Sequence, residues 1–230
     1  MGPRTALDAA DRIGAAIVAS KTEQLLSLLG GQPVIPVLKI DRVADAVPLA
    51  RALAAGGLRV IEITLRTPDA LESIRRAAAE VPEAVVGAGT ILNPQQFEEA
   101  ARAGSQFIVS PGLTPALVKA AADSPVPLLP GCITPGEIMS ARDAGIDFLK
   151  FFPAEQAGGV SFLKALASPI ADVRFCPTGG VTAKSALDYL ALPNVICVGG
   201  SWVAPDAMVK EGRWAEIEAL AREASKLRKG

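Results

Sequence analysis

Short apolar runs recur along this chain at intervals of roughly 20–25 residues, and the stretches between them are long enough for a helix. The runs are VIPVL (34–38), RVIEI (59–63), AVVGA (84–88), QFIVS (106–110), VPLLP (126–130), DFLKFF (147–152), VRFCP (173–177) and VICVGG (195–200). Most lack strict polar/apolar alternation, as expected of parallel strands covered on both faces. Eight β-strand/α-helix units close naturally into a (β/α)8 barrel of the TIM type. An open doubly wound sheet is the rival architecture, but no GxGxxG sequence follows an early strand. No linker or low-complexity tract divides the 230 residues, so a single domain over 1–230 is expected. It comprises a helical extension over 1–30 and a barrel over 31–230.

Punctuation supports the repeat. Asp41, Thr67-Pro68-Asp69, Asn93-Pro94, Thr114-Pro115 and Thr134-Pro135 offer a capping side chain, four of them with proline at the first helical position. Thr134 with Glu137 fits a capping box. Gly56-Gly57, Gly104 and Gly145 mark helix ends. A helix over roughly 7–29 precedes the first strand, placed to cover the barrel's base or side, and AEIEALAREASKLRKG (215–230) reads as the last outer helix.

Composition removes whole classes of chemistry. There is no histidine, so HExxH zinc sites, Ser-His-Asp triads and Cys-His pairs are all excluded. No carboxylate cluster suggests a metal. The net charge of −1 gives no nucleic-acid surface and no polybasic membrane patch. No apolar stretch is long enough to span a membrane, and the N-terminus lacks the apolar core of a signal peptide. Cys132, Cys176 and Cys197 have no paired spacing and read as buried thiols, which suits a reducing cytoplasm.

In a parallel barrel the site lies at the C-terminal strand ends. Lys150 stands out there, set in FLKFFPAE between phenylalanines. Burying a charged lysine in an apolar strand is costly, which favours the neutral amine, a nucleophile able to form a Schiff base with a ketone. Snorkelling or a carboxylate partner is the structural alternative. Lys39 is the nearest competitor, but it leads into KIDR and reads as solvated. Glu62 interrupts the apolar RVIEITLR strand and suits acid/base work beside an imine, or a buried ion pair. Arg66 ends that strand with a guanidinium suited to a carboxylate, with Thr90 and the Gly89 backbone as further donors; a surface salt bridge is its other reading. PTGGV (177–181) and VGGSW (198–202) close the last two strands, where barrels hold phosphate, although tight turns alone would also account for them.

Taken together, IEITLRTP, VGAGTILNP, FIVSPGLTP, LPGCITPGE, FLKFFPAE, RFCPTGGV and VGGSW give the chain a resemblance, from about Pro33 to about Gly212, to the 2-keto-3-deoxy-6-phosphogluconate aldolases, which overlap with the 4-hydroxy-2-oxoglutarate aldolases. The resemblance implies that Lys150 forms the Schiff base and Glu62 is the general acid/base. It implies that Arg66, Thr90, Pro111 and Phe152 hold the pyruvyl end, and that Thr178, Gly179, Gly180, Gly200 and Ser201 hold the phosphate. It further implies a cofactor-independent, metal-free homotrimer that makes pyruvate and glyceraldehyde 3-phosphate in the Entner–Doudoroff route. A C4-epimeric phosphogalactonate substrate, 4-hydroxy-2-oxoglutarate and a phosphate-binding barrel isomerase or epimerase are the alternatives.

Overall fold

The computed structural model describes residues 21–227, and the expected helix over 7–29 therefore falls partly outside the described residues. What is described of it, helix α1 (21–29), leads into alternating strands and helices. These are β1 (Val34–Leu38), α2 (Val43–Ala55), β2 (Val60–Thr64), α3 (Ala70–Glu80), β3 (Val85–Gly89), α4 (Pro94–Arg102), β4 (Phe107–Val109) and α5 (Pro115–Asp123). There follow β5 (Leu128–Leu129), β6 (Gly131–Cys132), α6 (Pro135–Asp143), β7 (Phe148–Phe151), α7 (Gly159–Leu166), β8 (Arg174–Pro177), α8 (Ser185–Leu190), β9 (Val198–Gly200), α9 (Asp206–Lys210) and α10 (Trp214–Ser225).

The strands pair in parallel in the orders β5-β4-β3-β2-β1-β9 and β6-β7-β8. Two features turn these sheets into one barrel. Single bridges, Phe175 to Val195 and Thr178 to Gly199, tie β8 to the β9 segment. The fifth strand is interrupted at Pro130, the last residue of its apolar run, which has no N–H to give a ladder, yet its carbonyl accepts from Lys150 N at 2.8 Å and carries the wall across the break. The eight expected strands are thus all present, the fifth as β5 and β6.

Strand parity sorts the side chains. Ile35, Val60, Phe107, Leu129, Phe148, Cys176 and Cys197 gather in one buried cluster, the barrel interior. Their neighbours, such as Val34, Ile61, Ile63, Leu149 and Phe175, pack outward against the helices. Leu25 and Leu29 of α1 belong to the inner cluster and are fully buried, so α1 stops the base of the barrel. Gln32 completes the seal by donating to the carbonyls of Val34 and Val60 and accepting from Val60 N.

The caps expected at Asn93, Thr114 and Thr134 form, each accepting from the backbone N–H three residues on, and Glu137 closes the capping box. The expected caps at Asp41 and Thr67 do not. Asp41 pairs with Lys39, and α2 instead takes its N-terminal bond from Asp69, whose carboxylate accepts from Val43 N at 3.3 Å. Thr67 donates to the carbonyl of Ile40, and α3 begins only at Ala70. These residues tie neighbouring βα loops together rather than capping their own helices. Gly57, Gly104 and Gly145 take positive φ at their helix ends. The last helix ends at Ser225, short of the expected 230; residues 228–230 lie outside the described range. Cys132, Cys176 and Cys197 are buried, and none of them forms a disulfide. Among the described residues, no helix is long and apolar enough to cross a membrane.

Candidate active site

The inward parity of each strand ends at the C-terminal mouth, where apolar side chains give way to polar ones. On β2 the inward series runs Val60, Glu62, Thr64 and then Arg66; on β7 it runs Phe148, Lys150 and then Phe152. These series line a cavity of about 410 Å³. All eleven expected site residues border it: Glu62, Arg66, Thr90, Pro111, Lys150, Phe152, Thr178, Gly179, Gly180, Gly200 and Ser201.

At its floor Lys150 Nζ lies 3.4 Å from Glu62 Oε1, although 88 residues separate them. Lys150 is 6% exposed and Glu62 3%. Taking two such groups out of water costs more than their attraction readily returns, so a pair of this kind is poor evidence of a stability device. The Phe152 ring centroid lies 5.1 Å from Nζ and covers one side of it. Gly89 makes room for the pair: a Cβ there would come within 2.0 Å of Glu62 Oε1. Gly131 does the same for the Pro111 carbonyl, 2.1 Å from where its Cβ would be.

Arg66 stands at the rim. Its Nε donates to Thr64 Oγ1 at 2.9 Å, and Thr64 in turn donates to the Leu38 carbonyl at 2.7 Å. Thr64 thereby fixes the guanidinium from below, and no carboxylate among the described residues pairs with its fork. Thr90 holds φ +61°, a left-handed conformation that is costly for a β-branched residue and that turns the chain at the end of β3.

Opposite, Gly179 and Gly180 take φ +100° and +78°, which only glycine adopts freely. Their loop is zipped to the one after β7: Ala154 N donates to Thr178 O at 2.8 Å and Glu155 N to Gly179 O at 3.1 Å. Glu155 also accepts from the buried Tyr189 hydroxyl at 2.9 Å, and burial, then the Glu155 carboxylate, pushes the phenol above its ordinary range. The amides of Gly179, Gly180 and Ser201 donate to no other described backbone acceptor. Thr178 is buried and spends its hydroxyl on the Cys176 carbonyl at 3.3 Å, lying over Gly199.

Val181 and Gly199, within PTGGV and VGGSW, also line the cavity, as do Lys39, considered above only as a rival to Lys150, and Val37, Thr64 and Asp206, which were not expected there. For Lys39, Val37 and Thr64 a signal was available: counting by twos from Ile35 or Val60 brings each of them inward. Lys39 is about a third exposed and borders the cavity while paired to Asp41, so it is less remote than KIDR suggested. A larger hollow of about 750 Å³ lies at the opposite end, beside Glu23, Gln32 and Arg174. Its ionisable groups form a solvent-facing pair, Arg174 with the largely exposed Glu23, not a buried one.

A closed parallel barrel whose polar cavity opens at the C-terminal mouth, floored by a buried lysine and glutamate, defines a (β/α)8-barrel enzyme. The family model described as KDPG and KHG aldolase matches residues 26–220, and the chain belongs to that family. It is 52% identical over 205 residues to the 2-dehydro-3-deoxy-phosphogluconate aldolase of Dickeya dadantii, covering 89% of this chain and 95% of that one. Its fold matches the 2-keto-3-deoxy-6-phosphogluconate aldolase of Zymomonas mobilis with 3-phosphoglycerate, at TM-score 0.87 and 50% identity, covering 91% of this chain and 98% of that one. It also matches the KDPG aldolase of Legionella pneumophila with pyruvate captured as a covalent carbinolamine, at TM-score 0.85 and 43% identity, covering 86% and 97%.

Proposed function

We propose that this chain is a class I aldolase that cleaves 2-keto-3-deoxy-6-phosphogluconate to pyruvate and glyceraldehyde 3-phosphate through a Schiff base on Lys150, the closing step of the Entner–Doudoroff route. The buried Lys150–Glu62 contact, between an unpaired guanidinium on one side and two glycine loops on the other, carries the reading. The Legionella relative captures pyruvate as a carbinolamine, the first adduct of an amine and a ketone.

Each residue takes a role set by its place. The Lys150 amine attacks C2 of the keto acid, and Glu62 shuttles the protons that let the carbinolamine lose water to the imine. The C4 hydroxyl then loses its proton, the C3–C4 bond breaks into the protonated imine, and the aldehyde leaves. Protonation of the resulting enamine at C3 and hydrolysis return the water, release pyruvate and free the lysine. Arg66, steadied by Thr64, holds the keto-acid carboxylate with Thr90, while Pro111 and Phe152 shape the wall. The Gly179–Gly180 turn, Gly200, Ser201 and Thr178 receive the phosphate end. The shorter 4-hydroxy-2-oxoglutarate leaves those glycine loops without a ligand, so it is the lesser substrate; rates with the two C4-epimeric phosphorylated acids, measured side by side, decide between them.

The reading extends to the whole molecule. The described residues, 21–227, make one domain, a reading supported by the way α1 stops the barrel's base. The enzyme works in the cytoplasm, in keeping with three buried cysteines that form no disulfide, as a homotrimer that light scattering would detect. Borohydride treatment with pyruvate should fix one pyruvyl group per chain, found by mass spectrometry on Lys150, and Lys150→Ala should abolish it. Pyruvate fixed to that variant would overturn the assignment.

A further inference from the structure

We propose that Lys39 is the cation that receives the substrate's phosphate, and so sets this enzyme's preference for phosphorylated over unphosphorylated keto acids; this rests on the aldolase reading above. Lys39 continues the inward series Ile35, Val37 of β1, one residue past the strand end. Register fixes its neighbours. Leu38 pairs with Ile63 and Pro36 with Gly200, so Lys39 stands between the end of β2 and the Gly200–Ser201 end of β9. It therefore sits between the proposed carboxylate anchor, Arg66, and Ser201.

Charge accounting singles it out. The ionisable groups lining the cavity are Lys39, Glu62, Arg66, Lys150 and Asp206. Lys150 contacts Glu62 and becomes the imine, and Arg66 is placed for the keto-acid carboxylate. A phosphate dianion in the glycine loops would then meet backbone amides and the Ser201 hydroxyl, in a cavity that also holds the Asp206 carboxylate. Amides bind phosphate well, but a nearby carboxylate opposes it, and Lys39 is the remaining cation of the cavity able to offset that repulsion.

Lys39 is also free to move. Among the described residues its ammonium bonds to Asp41 Oδ1, at 2.7 Å, in a pair that is more than a third exposed on both sides. Exposed pairs of this kind are worth little, and the four-carbon stem is flexible. Asp41 has a second partner in Lys210, 3.8 Å from Oδ2, so it stays compensated when Lys39 turns into the cavity. Asp41 thus parks the lysine at the mouth, and an incoming dianion outbids a monoanion for it.

The test compares 2-keto-3-deoxy-6-phosphogluconate with its unphosphorylated analogue, 2-keto-3-deoxygluconate, on the unaltered enzyme, Lys39→Met and Lys39→Arg. Loss of one charge-assisted contact lowers kcat/KM of Lys39→Met for the phosphorylated acid by about 10- to 100-fold, mostly through KM. The unphosphorylated acid should hold within about twofold, and pyruvate trapping by borohydride should persist, which also shows the variant is folded. Lys39→Arg should restore most of the loss. An equal fall on both acids, or no fall on the phosphorylated one, would overturn the role of Lys39 alone. Failure of the unaltered enzyme to cleave either acid or to trap pyruvate would overturn the aldolase reading, and this role with it.

Discussion

Gly89→Ala tests the heart of the site with a single methyl group. The added Cβ would lie 2.0 Å from Glu62 Oε1 and 2.6 Å from Cδ, where ordinary contact begins at about 3.4 Å. The carboxylate must therefore retreat by about 1.4 Å, taking Oε1 off its 3.4 Å approach to Lys150 Nζ. Misplacing a catalytic group by about 1 Å can cost on the order of 100-fold in rate. The stability cost of an overpacked methyl is about 1–3 kcal/mol, and each kcal/mol lowers Tm by roughly 2–4 °C in a chain this long. The expected result is a kcat near 1% of the parent with KM little changed, measured by pyruvate release, and a folded protein in thermal melts. Gly87→Ala is the matched control. Its Cβ would strike Phe107 within 2.3 Å, the same insult two residues deeper in the barrel, where stability should fall without a selective loss of kcat. If Gly89→Ala kept kcat within about threefold, or if both variants lost activity only in proportion to stability, the proposed role of Glu62 would be refuted.

Two further outcomes follow from local chemistry. The backbone amide of Thr134, then that of Ile133, holds the Glu137 carboxyl below the usual carboxylate range. A lowered native value means the stabilisation is complete above the unfolded carboxyl value of about 4.3 and is lost as pH falls through the native one. Glu137→Gln should therefore be about 1 kcal/mol less stable than the parent in urea at pH 7, and the gap should narrow as the pH is taken into acid; a gap that widens in acid would contradict the capping box. Burial, then the Glu137 carboxylate, pushes the Cys132 thiol up to about 12. Iodoacetamide at pH 8 should leave it unlabelled in the native protein and label it in guanidinium; native labelling at the rate of a free thiol would count against its burial.

Much of the site was legible because strand parity is a local property. Once β2 and β7 are strands, Glu62 and Lys150 fall on the faces that continue Val60 and Phe148, whatever lies elsewhere in the chain. Lys39 obeys the same parity from Ile35, but the polar KIDR sequence hid it: a residue just past a strand end looks solvated until the ring of neighbours is known. Asp69 shows the converse. Its place in Thr67-Pro68-Asp69 suggested service to α3, yet its carboxylate caps α2, because adjacent βα loops meet only once the strands pair.

The sequence by itself determined the alternation of strand and helix, the inward faces, three of the caps and the residue types at the mouth. Each of these follows from spacing within a few residues. Only the tertiary structure decided that Glu62 and Lys150 meet at 3.4 Å, that Gly89 must lack a side chain for them to do so, and that Thr64 steadies Arg66. It also decided that the fifth strand crosses Pro130 in two pieces and that Lys39 faces the same cavity. The reason is closure. Pairing β1 with β9 and tying β8 to β9 bends a linear order of strands into a ring, and distances across that ring depend on every strand at once.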